Sequence, residues 1–210
     1  MTAKVQPSSP DPFHAPAGLR ERKKLKTRLA IRREAYRLFR EQGYDATTVD
    51  QIAEAADVSP STFFRYFPSK EDVVLNDEYD PLLARALVDA PEDASLVSVV
   101  RTGIMGVLRE VLRHDRAELE TRLTLIRTVP ALRRRTYDQQ MESWQVFAAA
   151  FAERTGRPAN DFELRVASAS INAALSEAMT MWAEGGFLAD PLDQLDRALG
   201  YLQAGLRTEQ

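Results

Sequence analysis

The sequence predicts an all-α protein, with a small three-helix unit near its N-terminus and a larger helical body behind it. Three observations lead there. Apolar residues recur at three- and four-residue spacing through most of the chain, and nowhere do they alternate as a half-buried strand requires. Helix-capping residues stand just before these runs, and glycine or proline just after them. At 210 residues the chain is also long enough to bury one large core or two modest ones.

Residues 1–19 contain four prolines together with Ser, Ala and Gly, the composition of an unstructured tail. From about Leu25 to Gln42, Ile31, Ala35, Leu38 and Phe39 form one helical stripe and Arg33, Arg37 and Arg40 another. Gly43 is placed to end that helix in left-handed backbone. Thr48, followed three residues later by Gln51, has the form of a capping box and starts a short helix through about Ala55, with Ile52 and Ala53 on its buried side. After a turn at Asp57-Val58, Ser59 caps a second short helix with Pro60 at its first position, where a missing N–H costs nothing. Pro68 closes it, and Ser69 with Asp72 three residues on opens the next helix. Two short helices joined by a tight turn, packed on a longer first helix, make a helix-turn-helix unit. Beyond Lys70, punctuation at Pro81, Pro91, Pro130, Gly156, Pro158, Gly185, Gly186 and Pro191 predicts helices over 70–88, 94–113, 115–128, 130–154, 160–184 and 190–207. The expected division is therefore 1–19 tail, 20–69 helix-turn-helix and 70–210 body.

Charge is unevenly placed. Residues 20–40 carry ten Lys or Arg against Glu21 and Glu34, a local net of +8 within a chain total of −3, which leaves −11 for the remainder. A basic end on an acidic body suits docking on a polyanion. Enzyme chemistry fits poorly. There is no cysteine, the only histidines are His14 and His114, and no HExxH pair or glycine-rich phosphate loop follows a strand. No catalysis, metal or cofactor is expected. A membrane-surface role is the other alternative, but the basic helix offers only Tyr36 and Phe39 as large apolar groups. The N-terminus lacks a signal-peptide core, and the most apolar stretch, 166–183, is interrupted by Asn172 and Glu177. The expectation is a soluble cytoplasmic protein with no membrane partner.

The densest chemical signal is VSPSTFFRYFPSKED, residues 58–72, which gathers Phe63, Phe64, Tyr66 and Phe67 beside Ser, Thr, Arg and Lys. At about 100° per residue, Phe63 and Phe67 share one face with Tyr66 at its edge. Ser61 and Arg65 point the other way with Thr62 beside them, and Phe64 lies on the opposite flank. Two rings thus anchor a helix too short to be stable alone, and two flank a small polar face of a size that fits a major groove.

The stretch TTVDQIAEAADVSPSTFFRYFPSKEDV resembles the DNA-binding domain of the TetR family of bacterial repressors, with the first helix supplied by residues 25–42. The resemblance covers roughly the first 75 residues. It implies that Thr48, Thr62, Phe64, Tyr66 and Lys70 meet backbone phosphates, and that Ser59, Ser61, Thr62 and Arg65 face the groove. Arg22, Lys23, Lys24 and Lys26 are expected to act as a basic arm that contacts DNA without sequence preference. Two residues depart from the family pattern. Phe64 stands where tyrosine is common, so ring contact replaces a hydroxyl–phosphate bond, and Asp57 and Ser61 stand where glycines are frequent.

The same resemblance makes the body an effector-binding and dimerisation domain. The expected effector pocket is lined by Met105, Leu108, Leu123, Trp144, Phe147, Phe151, Asn172, Met179 and Trp182, with Asn172 and Glu177 as polar groups on an apolar helix. The expected dimer interface is formed by Leu164, Ala167, Ile171, Ala174 and Leu175 of one helix and Leu195, Leu199, Leu202 and Leu206 of the last. RLTLIRTVPALRRR, residues 122–135, together with the FFRYFPSK form, is similar to an actinobacterial branch that includes the mycofactocin-cluster regulator and answers to long-chain acyl-CoA. The expected partners are thus a palindromic duplex DNA, a second copy of the chain and a small-molecule effector, an acyl-CoA or another large apolar ligand. The expected function is repression relieved by that effector.

Overall fold

The computed structural model describes residues 19–75, 91 and 94–206, with the side chains of 19, 21–22, 137–144 and 146 outside the described set. Among these residues every regular element is an α-helix. The chain divides between Lys70 and Glu71 into two compact units.

In the first unit, α1 spans Leu19–Gln42, α2 Val49–Ala55 and α3 Pro60–Tyr66, and α4, Lys70–Leu75, begins at its last residue. Helix α1 starts six residues before the expected Leu25, because Leu19–Lys24 is built of strong helix formers that carry no apolar stripe. It ends where Gly43, at φ +88, donates to the Phe39 carbonyl at 3.1 Å. The capping box at Thr48 is complete. Gln51 N donates to Thr48 Oγ1 at 3.2 Å, and Thr48 N donates to Gln51 Oε1 at 2.9 Å. Helix α2 closes in a Schellman motif, with Val58 N on Ala53 O at 2.9 Å and Asp57 N on Glu54 O at 3.1 Å. Asp57 occupies the left-handed position at φ +54, where glycine would be unstrained. Ile31, Ala35, Tyr36, Phe39, Ile52, Ala53, Phe63 and Phe67 form the core of this unit.

The second unit holds the rest of α4 and then α5 Leu96–His114, α6 Arg116–Thr128, α7 Pro130–Thr155, α8 Phe162–Glu184 and α9 Pro191–Gln203. The helix expected over 70–88 is described to Leu75, and residues 76–90 lie outside the described residues. Helix α8 packs between α7 and α9, α9 also packs on α5, and α6 touches α5, α7 and α8. Three caps set the starts: Ser95 for α5, Asp161 for α8 and Asp190 for α9. Trp182 is fully buried, its indole N–H donating to Ala189 O at 2.9 Å and its ring edge-on to Phe187 at 4.9 Å.

Much of the expected dimer stripe lies in the core of the protomer. Leu164, Ile171, Leu175, Leu195 and Leu199 are buried inside the protomer, where α8 and α9 pack within one chain. Ala167, Ala174 and Leu202 are half-buried, and exposed Leu206 lies past the end of α9. The opposite face of α8 exposes three large apolar side chains among polar ones: Phe162, Val166 and Met181 are 79%, 49% and 56% exposed. Glu177 sits on that outer face rather than within an apolar wall, because it falls about 200° around the helix from buried Leu175.

Candidate nucleic-acid interface

Helix α3 is anchored from inside and polar outside. Phe63 and Phe67 are fully buried, their ring centroids 5.9 Å apart, and the Arg28 guanidinium lies 5.1 Å from the Phe67 ring. Phe64 stands edge-on to Phe63 at 5.5 Å yet remains 52% exposed. Ser59, Ser61 and Arg65 are exposed, and Thr62 and Tyr66 half-buried. The Ser59 hydroxyl caps α3 by accepting from Thr62 N at 3.1 Å, so the outer face is tied to the helix start itself.

Thr48 is exposed at the start of α2 and uses its oxygen for the cap, which keeps its hydroxyl proton available to an anion. Lys70 reaches back across 26 residues. Its ammonium donates to Tyr44 O at 2.7 Å and to Thr47 O at 2.9 Å, and lies 4.2 Å from the Tyr44 ring centroid. Two of its three N–H donors are thereby engaged in holding the loop that presents Thr48. The family resemblance implied only a phosphate role for Lys70 and left Tyr44 unnoticed, since neither contact is local.

The basic arm is corrected to a helical surface. Lys23, Lys24 and Lys26 are exposed within α1, and the side chain of Arg22 lies outside the described set. Lys23, Lys24 and Lys26 are thus presented along α1 and not on an extended arm. Farther on, the positive stripe is partly neutralised: Glu34 pairs with Arg37 at 2.8 Å and with Arg33 at 3.1 Å, and Arg37 also pairs with Glu41 at 2.6 Å. The Arg37 hydrogen bond is the main cause that holds the Glu34 carboxyl below its ordinary value.

In the body, Met105, Leu108, Phe147, Phe151 and Trp182 are buried and Leu123, Asn172 and Met179 half-buried, while the side chain of Trp144 lies outside the described set. These residues are distributed over α5 to α8. The body also grips α4 through contacts that sequence reading missed. Arg135 Nη2 donates to Asp72 Oδ1 at 2.7 Å, and Arg122 Nη2 donates to Leu75 O at 3.3 Å. Among the described residues no helix is long and apolar enough to cross a membrane, and no cluster of His, Cys, Asp and Glu could hold a metal.

Residues 31–76 match the family described as bacterial regulatory proteins, tetR family, and residues 94–207 match the MftR C-terminal domain. The chain belongs to the TetR family. Within it, the HTH-type transcriptional regulator TcmR of Streptomyces glaucescens is 60% identical over 58 residues, covering 28% of this chain and 26% of that protein. The uncharacterized HTH-type transcriptional regulator YdeS of Bacillus subtilis is 44% identical over 85 residues, 40% of this chain and 41% of that one. The chain thus spans less than half the length of either relative. Among solved TetR-family structures, Thermus thermophilus FadR in complex with lauroyl-CoA aligns over 87% of this chain and 96% of its own, with a TM-score of 0.54 and 26% identity. SmeT bound to triclosan has the same fold at a TM-score of 0.59 and 17% identity. TetR-family proteins are transcriptional regulators rather than enzymes.

Proposed function

We propose that the chain is a dimeric repressor that binds a palindromic DNA operator in the cytoplasm and leaves it when an acyl-CoA occupies the body. The observation that carries this reading is α3 itself: a capped helix anchored by Phe63 and Phe67, with Ser61, Thr62, Phe64 and Arg65 turned outward. Seven residues of helix span roughly 10 Å and meet only a few base pairs, so specificity needs two copies set about one DNA turn apart. Thr48, Tyr66 and Lys70 flank this face as phosphate contacts.

The second copy docks on the outer face of α8, where Phe162, Val166 and Met181 are exposed, continued by Tyr201 of α9. Exposed apolar groups on one face of a helix are the usual mark of such a contact. For the effector, the support is the lauroyl-CoA complex of the Thermus FadR and the apolar side chains buried in this body. Exposed Arg133 and Arg134 suit an anionic head group, whereas Arg135 is engaged by Asp72. A hundredfold release from DNA needs a coupling free energy of about 2.7 kcal/mol, within the common range for allostery.

Gel shifts with duplexes recovered from a randomised pool test the DNA reading, and thermal shifts with lauroyl-CoA test the effector. Lauroyl-CoA is expected to raise the melting temperature and weaken the shifted band. A melting temperature that responds to planar aromatic compounds and to no acyl-CoA sinks the effector assignment while leaving the DNA reading standing. Val166→Glu is expected to give monomers in light scattering and to lose operator binding.

A further inference from the structure

We propose that Arg65 is the residue by which each protomer fixes base identity, and that the base it selects is guanine. This rests on the operator reading above and adds to it which side chain discriminates and what it discriminates for. The outward face of α3 contains three hydroxyls, and their hydrogen-bonding capacity can be counted. Each has one proton and two lone pairs. Ser59 Oγ accepts from Thr62 N at 3.1 Å and donates to Thr62 Oγ1 at 3.0 Å. Only one lone pair remains for its contact with Ser61 Oγ at 2.9 Å, so Ser61 is the donor there. Ser59 is then saturated, and the single proton of Ser61 is turned inward. Thr62 Oγ1 accepts from Ser59 and also from Arg65 Nη2 at 3.4 Å, which fills both its lone pairs. Phe64 has no polar atom. What remains is the single Thr62 proton and the two Ser61 lone pairs, one-point contacts that more than one base edge satisfies.

Arg65 is different. It is exposed, and its guanidinium has five N–H donors in a planar fork, of which the contact to Thr62 uses one. The fork is braced on two sides, by Thr62 three residues before it and by the Tyr66 ring, whose centroid lies 5.5 Å from the guanidinium carbon. Bracing lowers the ordering cost of a long side chain on binding. A donor-only fork needs two adjacent acceptors, and in the major groove only guanine presents them, as N7 and O6. Adenine and cytosine place an amino donor where the fork needs an acceptor.

Selection from randomised duplexes by the full chain and by Arg65→Ala, each followed by titration at several salt concentrations, decides the matter. Wild type is expected to enrich one guanine per half-site at dyad-related positions. R65A is expected to reduce the preference for that guanine by roughly 10- to 100-fold while changing the log–log salt slope by less than about 1. A parallel melt checks that R65A remains folded. Arg65→Lys keeps the charge without the fork, and is expected to hold the salt slope and lose part of the preference. If R65A weakens every sequence alike and flattens the slope by roughly 1.8, Arg65 is a phosphate contact in both protomers and the proposal is overturned. Full guanine preference in R65K and R65A overturns it as well. A wild-type chain that enriches no sequence overturns the operator reading first, and this one with it.

Discussion

Replacing Lys70 by Met separates two roles that one side chain combines. Methionine keeps the aliphatic stem and removes the ammonium that donates to Tyr44 O at 2.7 Å and Thr47 O at 2.9 Å. Hydrogen bonds from a charged donor each contribute about 1.5–3 kcal/mol when protected from water. Lys70 is only half-buried and the released carbonyls can rehydrate, so a combined loss of about 2 kcal/mol is expected. That loss falls on the loop 44–47, which positions the Thr48 cap of α2. Amide exchange across α2 should therefore accelerate about 30-fold, the factor equivalent to 2 kcal/mol, with little change in the helices of the body. Operator titrations give the second readout. If the third N–H meets a phosphate, the log–log salt slope falls by roughly 0.9 per protomer. Exchange within about threefold of wild type would refute the clamp. Faster exchange with an unchanged salt slope would leave Lys70 a purely structural residue.

Asp57→Gly should stabilise the first unit by about 0.5 kcal/mol in urea titrations, since relief of the left-handed strain at φ +54 outweighs the added entropy of the unfolded chain. Arg135→Gln should cost about 1–2 kcal/mol, because the Asp72 carboxylate it faces is 13% exposed. The double mutant with Asp72→Asn should show a coupling near 1 kcal/mol, discounted for the 45% exposure of Arg135. Asp161 is held below its ordinary carboxylate value chiefly by the hydrogen bond from Leu164 N, with Arg157 reinforcing it. Its contribution at the start of α8 is thus fully present above the unfolded value of about 3.9 and is lost as pH falls through the lower folded one. Asp161→Asn should remove that acid dependence from the exchange of the Glu163 and Leu164 amides.

The helix-turn-helix was legible because its determinants are local. Thr48 with Gln51, Ser59 before Pro60, and Phe63 four residues from Phe67 each specify a feature within one or two turns. Lys70 shows the limit. Its two acceptors are 26 and 23 residues away, and nothing in the SK dipeptide encodes them. The start of α1 was read late because a run of Arg, Lys and Glu has helix propensity without an apolar period. The inward face of α8 was not legible for another reason. Helix α8 has apolar residues on both faces, with Leu164, Ile171 and Leu175 inward and Phe162, Val166 and Met181 outward among polar neighbours. Periodicity identifies such a helix but cannot tell which face its own chain covers. Sequence alone does not separate Arg135 from Arg133 and Arg134, because its partner Asp72 lies 63 residues earlier.

Helix α4 has a consequence for how such proteins are recombined. Its first residue, Lys70, is tied to carbonyls of the first unit, while Asp72 and Leu75 are held by Arg135 and Arg122 of the second. The chain divides between Lys70 and Glu71, so a junction placed there severs neither set of anchors. A chimera that joins residues 1–70 of this chain to the body of another regulator keeps its Tyr44–Lys70 clamp whole. A foreign reading head fused at Glu71 meets a body whose grip on Asp72 and Leu75 is already complete. The peptide bond after Lys70 is thus a natural graft point, at which operator choice and effector choice can be exchanged as separate parts.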